Sequence, residues 1–308
     1  MKIAVYGAGA IGSYYAGRLI RAGEDVKLLA RGRTLVALEQ HGLRIDSPNG
    51  DITIDSIEAV DDPAEIGPVD LVLVAVKAWQ VPDVARAAVP LIGPNTAVLP
   101  LQNGVEAADQ LGEVLGRQHV LNGMTKVIVH ALEPGHIEDI GFDPLIAAGE
   151  LQGEPSSRLQ EIQRVFEAAG VTFNLPTDIE ISVWDKFLFI ASVSGLGAIT
   201  RSKIGVLRTL GQTRALLEES MAEIYQVAHA KGVRLSENTV NRAMRFVDSL
   251  PEESTASLQR DIMAGRPSEL ESQNGAVVRF GDELGVDTPL NRFIYYALLP
   301  MENQARGN

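Results

Sequence analysis

The chain has 308 residues, long enough for about two domains. Its 45% hydrophobic and 22% charged residues suit a globular protein with a substantial core, and its net charge of −13 argues against bulk nucleic-acid or anionic-membrane partners. It contains no cysteine, which excludes disulfides, thiolate zinc sites and a cysteine nucleophile, and agrees with a cytoplasmic address.

The first predicted element is a short apolar strand ending at Tyr6, so no N-terminal signal is expected. It runs straight into Gly7-Ala8-Gly9-Ala10-Ile11-Gly12 and then a helix from Ser13 to Ala22. In a dinucleotide-binding turn Gly7 allows the sharp bend and Gly9 the close approach to a pyrophosphate. Gly12 allows helix and strand to pack closely, so that helix N–H groups point at the phosphates. The motif has its required context of strand before and helix after.

Gly23 ends that helix, and Glu24–Ala30 reads as the second strand. An NAD site wants a carboxylate just beyond it, and an NADP site an arginine. Here Arg31-Gly32-Arg33 follows, which favours NADP over the alternative of two solvated surface arginines. Next come a helix with Leu35 and Leu38 toward the core, then a hairpin of Gly42–Ile45 and Ile52–Ile54 around Ser47-Pro48-Asn49-Gly50. Asp70–Val76 is a continuous β-branched run, as in a strand covered on both faces. Lys77 follows its carboxyl end, where ligands of open α/β sheets bind, although surface lysines are also common there. A helix over Val84–Ala88 leads to strand Thr96–Pro100. Asn103-Gly104 after it is either a plain turn or part of the same edge. Residues 120–150 alternate and are broken by Gly and Pro, which predicts antiparallel strands extending the sheet. An amphipathic helix over Pro155–Ala169 and a strand at Val171–Phe173 close the first domain near Pro176, giving domains 1–176 and 177–308.

Beyond that point strand signals fade. Ile179–Ile199, Arg214–Lys231, Glu237–Ser249 and Glu269–Leu284 read as helices, and Gln304–Asn308 as a frayed end. The longest apolar stretch, Phe187–Ile199, is shorter than the roughly 20 residues of a membrane span and reads as a buried helix. The expected fold class is α/β plus α: a Rossmann-type doubly wound sheet followed by an all-helical domain, with substrate in a cleft between them. No internal repeat or metal cluster is evident, and the five histidines are too scattered for a dyad or ligand set.

Reducing a carbonyl by hydride transfer requires a proton donor and a holder for the substrate's anionic group. Lys186 lies in the otherwise apolar Trp184–Ile190 and suits the first role if partly desolvated. The alternative is a lysine whose ammonium reaches solvent from a buried helix. Ser257 is a candidate carboxylate donor. Glu269, after Pro267, is a candidate site residue or a helix cap.

The motifs Gly7-x-Gly9-x-x-Gly12, Arg31, Val76–Gln80, Gln102-Asn103-Gly104, Trp184-x-Lys186 and Ser257-x-x-x-Asp261-Ile262 leading to Glu269 occur in order over nearly the whole chain. In these the chain resembles the ketopantoate reductases (2-dehydropantoate 2-reductases), which reduce 2-dehydropantoate to (R)-pantoate with NADPH for pantothenate and coenzyme A synthesis. The resemblance implies a Rossmann domain with a helical domain like that of 6-phosphogluconate dehydrogenase. It implies that Arg31 meets the 2′-phosphate, that Lys77 lies near the nicotinamide ribose and substrate, and that Asn103 holds both. By the same resemblance Lys186 is the proton donor and Ser257 binds the substrate carboxylate. Glu269 bonds substrate hydroxyls or orients Lys186. The family's asparagines four and eight residues after the lysine are here Ile190 and Ser194, which leaves Ser194 as a reduced substrate contact and puts the substrate in question. A less polar 2-oxo acid, or an NADP(H)-binding regulatory protein without turnover, are the alternatives. The partner expected is a small 2-oxo acid, with no nucleic acid, membrane or metal; a homodimer is an open expectation.

Overall fold

The first half of the chain is built on β1 (Lys2–Tyr6), in which Ile3, Ala4, Val5 and Tyr6 are all buried. A strand apolar at consecutive positions needs cover on both faces, and a parallel sheet with helices on either side supplies it. The computed structural model describes residues 1–151 and 156–307. After β1 come α1 (Ala10–Arg21), β2 (Asp25–Leu29), α2 (Gly32–His41), β3 (Leu43–Asp46), β4 (Ile52–Ile54) and β5 (Glu58–Val60). Then follow β6 (Leu71–Val74), α3 (Val81–Ala87), β7 (Ala97–Pro100), α4 (Ala107–Leu115), β8 (Leu121–Lys126), β9 (Val129–Glu133), β10 (His136–Asp139), β11 (Leu145–Glu150), α5 (Ser157–Ala168) and β12 (Thr172–Asn174). The expected helix start at Pro155 lies outside the described residues.

The main sheet is parallel throughout, in the order β5-β2-β1-β6-β7. The chain winds outward from β1 through β2 to β5, then crosses to the other side of β1 for β6 and β7. Winding therefore reverses between β1 and β6, the position beyond which doubly wound sheets bind ligands.

The strands of residues 120–150 do not extend this sheet, contrary to the expectation from their alternation. β9 and β10 join the hairpin instead, in a sheet of order β4-β3-β10-β9. β8 and β11 pair antiparallel, with β12 parallel to β11, in a sheet tied to the main one, among the described residues, by the bridge of Val98 to Val120. The reason is a competing apolar face. Leu43 and Ile45 of β3 pack on α1 at Gly17, where an added Cβ would lie 2.6 Å from Ile45 Cδ1, and β10 finds its edge there. A buried polar tie reinforces the packing, since the Ser47 hydroxyl donates to Asp139 Oδ2 at 2.9 Å and the Tyr14 hydroxyl to the same oxygen at 3.4 Å.

The second half is helical: α6 (Ile179–Thr200), α7 (Ile204–Thr209), α8 (Gly211–Ala230), α9 (Thr239–Ser249), α10 (Ser257–Met263), a π-helical turn over Glu271–Gly275, α11 (Ala276–Leu284) and α12 (Pro289–Arg306). The predicted helices correspond to α6, α8, α9 and the π turn with α11, while α7, α10 and α12 were not anticipated. Gln304–Arg306 form the last turn of α12 rather than a frayed end. Two compact units result, Met1–Gln102 with Glu106–Ile179, and Asn103–Val105 with the chain from Glu180 onward.

α6 is the spine of the second unit: Trp184, Phe187, Leu188, Ala191 and Leu196 are buried with Met221, Ile224 and Val227 of α8 and Leu298 of α12. At 22 residues it is long and apolar enough to cross a membrane by length and composition, beyond the shorter stretch foreseen, yet 67% of its apolar window is buried within the protein. Glycines let other segments reach it. An added Cβ at Gly195 would lie 2.7 Å from Asn274 Oδ1, and one at Gly197 would lie 2.6 Å from Gln259 Oε1. Thus the π turn and α10 each lay an amide side chain on a bare stretch of α6.

Candidate functional site

At the carboxyl edge of the parallel sheet, Gly7 takes φ +107°, a conformation open to glycine, and its N–H donates to the Leu29 carbonyl at 3.1 Å. A Cβ on Gly7 would lie 2.8 Å from Val76 Cγ1, and one on Gly12 only 1.9 Å from the Gly7 carbonyl oxygen. One on Gly9 meets nothing within 4 Å. Gly7 and Gly12 are therefore required by the turn's own packing, whereas Gly9 keeps open a space beside the backbone. Gly9 is the N-cap of α1, with no side chain capping the helix and no acidic residue in its first turn. The N–H groups of that turn are thus left for an anion, so the cradle fits a dinucleotide pyrophosphate. Ala8, Ala10 and Ile11 pack against the core beneath.

Arg31 follows β2, at the N-cap of α2, with its side chain exposed and its guanidinium beside the Tyr6 hydroxyl. Burial raises the Tyr6 phenol above its ordinary range, and the Arg31 charge works against that rise. No carboxylate stands in the residues that follow β2, namely Ala30, Arg31, Gly32 and Arg33. Lys77, half-buried after β6, has its ammonium 5.8 Å from the Trp79 ring centre, while its backbone N–H donates to Gln80 Oε1 at 3.2 Å.

Gln102, named beforehand only within a motif, has a structural task here. Its buried amide donates to the carbonyls of Val74 at 2.9 Å and Val76 at 3.0 Å. This staples the end of β7 to the segment after β6, the edge that carries Lys77. The adjacent residues Asn103–Val105 belong to the second unit, with Val105 against its apolar core.

In that second unit, Asn103 Nδ2 donates to Glu269 Oε2 at 3.4 Å, joining residues 166 positions apart. Gly104, at φ +128°, lies against the Ser272 carbonyl. Glu269 is only 5% exposed, and its carbonyl accepts from the Gln273 N–H at 3.0 Å where the π turn begins. Lys186 lies half-buried on α6, between Asp185, which pairs with Arg242 at 2.6 Å, and the buried Phe187. Ile190 and Ser194 follow it at successive four-residue steps. Ser194 is fully buried, and its hydroxyl has no hydrogen-bond partner among the described residues. Ser257 opens α10 and is half-buried. The structure therefore brings Asn103 and Glu269 together, and docks the segments bearing Glu269 and Ser257 on the helix bearing Lys186. Among the described residues, no group of His, Cys, Asp and Glu is arranged to hold a metal.

Sequence reasoning gave no role to Ser268, Glu302 and Arg306, which are bonded to one another at the residue before Glu269.

The family model described as "Ketopantoate reductase PanE/ApbA" matches residues 3–153, and that described as "Ketopantoate reductase PanE/ApbA C terminal" matches residues 178–302. A 2-dehydropantoate 2-reductase from Mesorhizobium japonicum is 30% identical, with 94% of each chain covered, and one from Nostoc sp. is 26% identical, covering 99% of this chain and 96% of the other. The crystal structure of a PanE/ApbA family ketopantoate reductase from Ralstonia eutropha JMP134 superposes with a TM-score of 0.91 at 32% identity, over 99% of this chain and 100% of that one. A D-mandelate dehydrogenase with NADH and anilino(oxo)acetate shares the fold, with a TM-score of 0.91 at 22% identity over 99% of this chain and 100% of that one. With both halves matched over nearly their full length, the chain belongs to the ketopantoate reductase family and is an oxidoreductase that works with a nicotinamide cofactor.

Proposed function

We propose that this protein reduces 2-dehydropantoate to (R)-pantoate, with NADPH in preference to NADH, in the synthesis of pantothenate and coenzyme A. The observation that carries the reading is the pairing of Asn103 with Glu269, two polar side chains held together at the edge of an apolar helical unit. It is supported by the reductase names of the relatives that match along the whole chain. NADPH, when bound, supplies the hydride. The glycine turn and the first turn of α1 would hold its pyrophosphate, Arg31 its 2′-phosphate, and Lys77 and Asn103 its nicotinamide end.

Lys186 gives a proton to the carbonyl oxygen as that oxygen gains negative charge. An ammonium in this place interacts more strongly with the forming alkoxide than with the ketone, so it lowers the barrier rather than merely tightening binding. Ser257 donates to the substrate carboxylate. Glu269 accepts from the substrate hydroxyl, with Asn103 fixing the carboxylate's orientation.

Ile190 and Ser194 favour a second reading, a less polar 2-oxo acid, because an alkyl group and a short hydroxyl replace two amides on the lysine's helix. NADPH oxidation with 2-dehydropantoate beside a panel of apolar 2-oxo acids separates the two. A kcat/KM highest for 2-dehydropantoate supports the first reading. A higher value for an alkyl or aryl 2-oxo acid replaces it with the second, and no oxidation with any of them removes both.

A further inference from the structure

Glu269 does not hold its position through its own side chain alone. The residue before it, Ser268, is fully buried and is gripped at three atoms by the last turns of α12. Its backbone N–H donates to both carboxylate oxygens of Glu302, at 3.1 and 3.0 Å, and its hydroxyl donates to Glu302 Oε2 at 2.5 Å. Its carbonyl accepts from Arg306 Nη2 at 3.0 Å. Arg306 Nε in turn donates to Glu302 Oε1 at 2.6 Å, one helical turn back. The same hydroxyl of Ser268 accepts from the Leu270 N–H at 3.2 Å, so the backbone is fixed on both sides of Glu269.

A nearly fully buried carboxylate is costly unless charge and hydrogen bonds compensate it. Glu302 has that compensation, and what it receives in exchange is a rigid two-residue frame rather than apolar contact. Three hydrogen bonds to the carboxylate from two groups of Ser268, with Arg306 bonded to both Glu302 and the Ser268 carbonyl, restrain Ser268, and with it the direction in which the Glu269 side chain leaves the chain. A site contact displaced by about 1 Å can cost roughly a hundredfold in rate. We propose that Glu302 and Arg306 are positioning residues for the reduction, acting through Ser268 to aim the Glu269 carboxylate. This inference rests on the reading of Glu269 as a substrate contact.

The test is a mutant cycle on the full chain. Glu302→Gln and Arg306→Ala should each lower kcat/KM for 2-dehydropantoate, by roughly tenfold for the loss of a charge-assisted bond. The affinity for NADPH, read by titrating nicotinamide fluorescence, should stay at the wild-type value. In a Glu269→Gln background the same two changes should cost nothing further, because the carboxylate they aim is gone. Equal losses in both backgrounds would overturn the proposal, as would NADPH affinity falling in step with turnover. If Glu269→Gln alone turns over like wild type, Glu269 is no substrate contact, and the positioning role falls with that reading. Arg306, partly exposed in the last turn, keeps the cycle measurable should Glu302→Gln fail to fold.

Discussion

Lys186 is the residue on which the proposed chemistry turns, since the family's reaction requires a proton at the oxygen that receives charge. Lys186→Ala should lower kcat by about a hundredfold or more, the usual contribution of a positioned general acid, with NADPH affinity little changed. Single-turnover reduction with bound NADPH measures it, and near-normal turnover would remove the assignment. Tyr14 offers a residue-scale test of packing rather than chemistry. Burial pushes its phenol up to about 12 from an ordinary 10.0, with the Arg18 charge opposing the rise. Between those two values the folded state keeps a proton that the unfolded chain has lost. Stability is therefore fully present below pH 10.0 and falls as pH rises toward about 12. Tyr14→Phe should flatten that alkaline decline in melting temperature.

At the scale of elements, the nucleotide turn separates folding from binding. Gly12→Ala places a methyl against the Gly7 carbonyl, so the turn must open and both stability and NADPH binding should fall. Gly9→Ala touches nothing within 4 Å, so its melting temperature should match wild type while NADPH affinity drops, the added methyl standing where the pyrophosphate approaches. Thermal melts beside NADPH titrations distinguish the pair. α6 invites a comparable test, because its apolar length serves the core. Phe187, at 1% exposure, packs edge-on to Trp184. Phe187→Ala should cost about 3–5 kcal/mol in denaturant unfolding, as expected for a large aromatic lost from a close-packed site.

The whole molecule responds to its cofactor by mass action. A ligand bound only by the folded state, at about a hundred times its Kd, adds about 2.7 kcal/mol of stability. NADPH should therefore raise the melting temperature at lower concentration than NADH does. Arg31→Ala should remove that advantage, lowering the preference by roughly tenfold to a hundredfold for one charge-assisted contact. Retained preference would exclude Arg31 as the residue that meets the 2′-phosphate. The acidic overall charge gives no help to an anionic cofactor, so the proposed recognition is local, at a helix N-terminus without acidic residues in its first turn and at the exposed Arg31.

The parallel sheet, the glycine turn and the helical character of the second half were legible along the chain, because each is written in short-range signals. β-branched runs, three glycines at fixed spacing and 3.6-residue periodicity act on neighbours along the chain. Where the strands of 120–150 pair depended on long-range packing, since their alternation suits any open edge, and the apolar face of β3 on α1 captured β9 and β10. It also gave the two glycines of α6 their purpose, as docking points for Asn274 and Gln259. The grip of Glu302 and Arg306 on Ser268 was illegible beforehand for a related reason. It joins residues more than 30 positions apart through backbone groups, and backbone groups leave no mark in side-chain spacing.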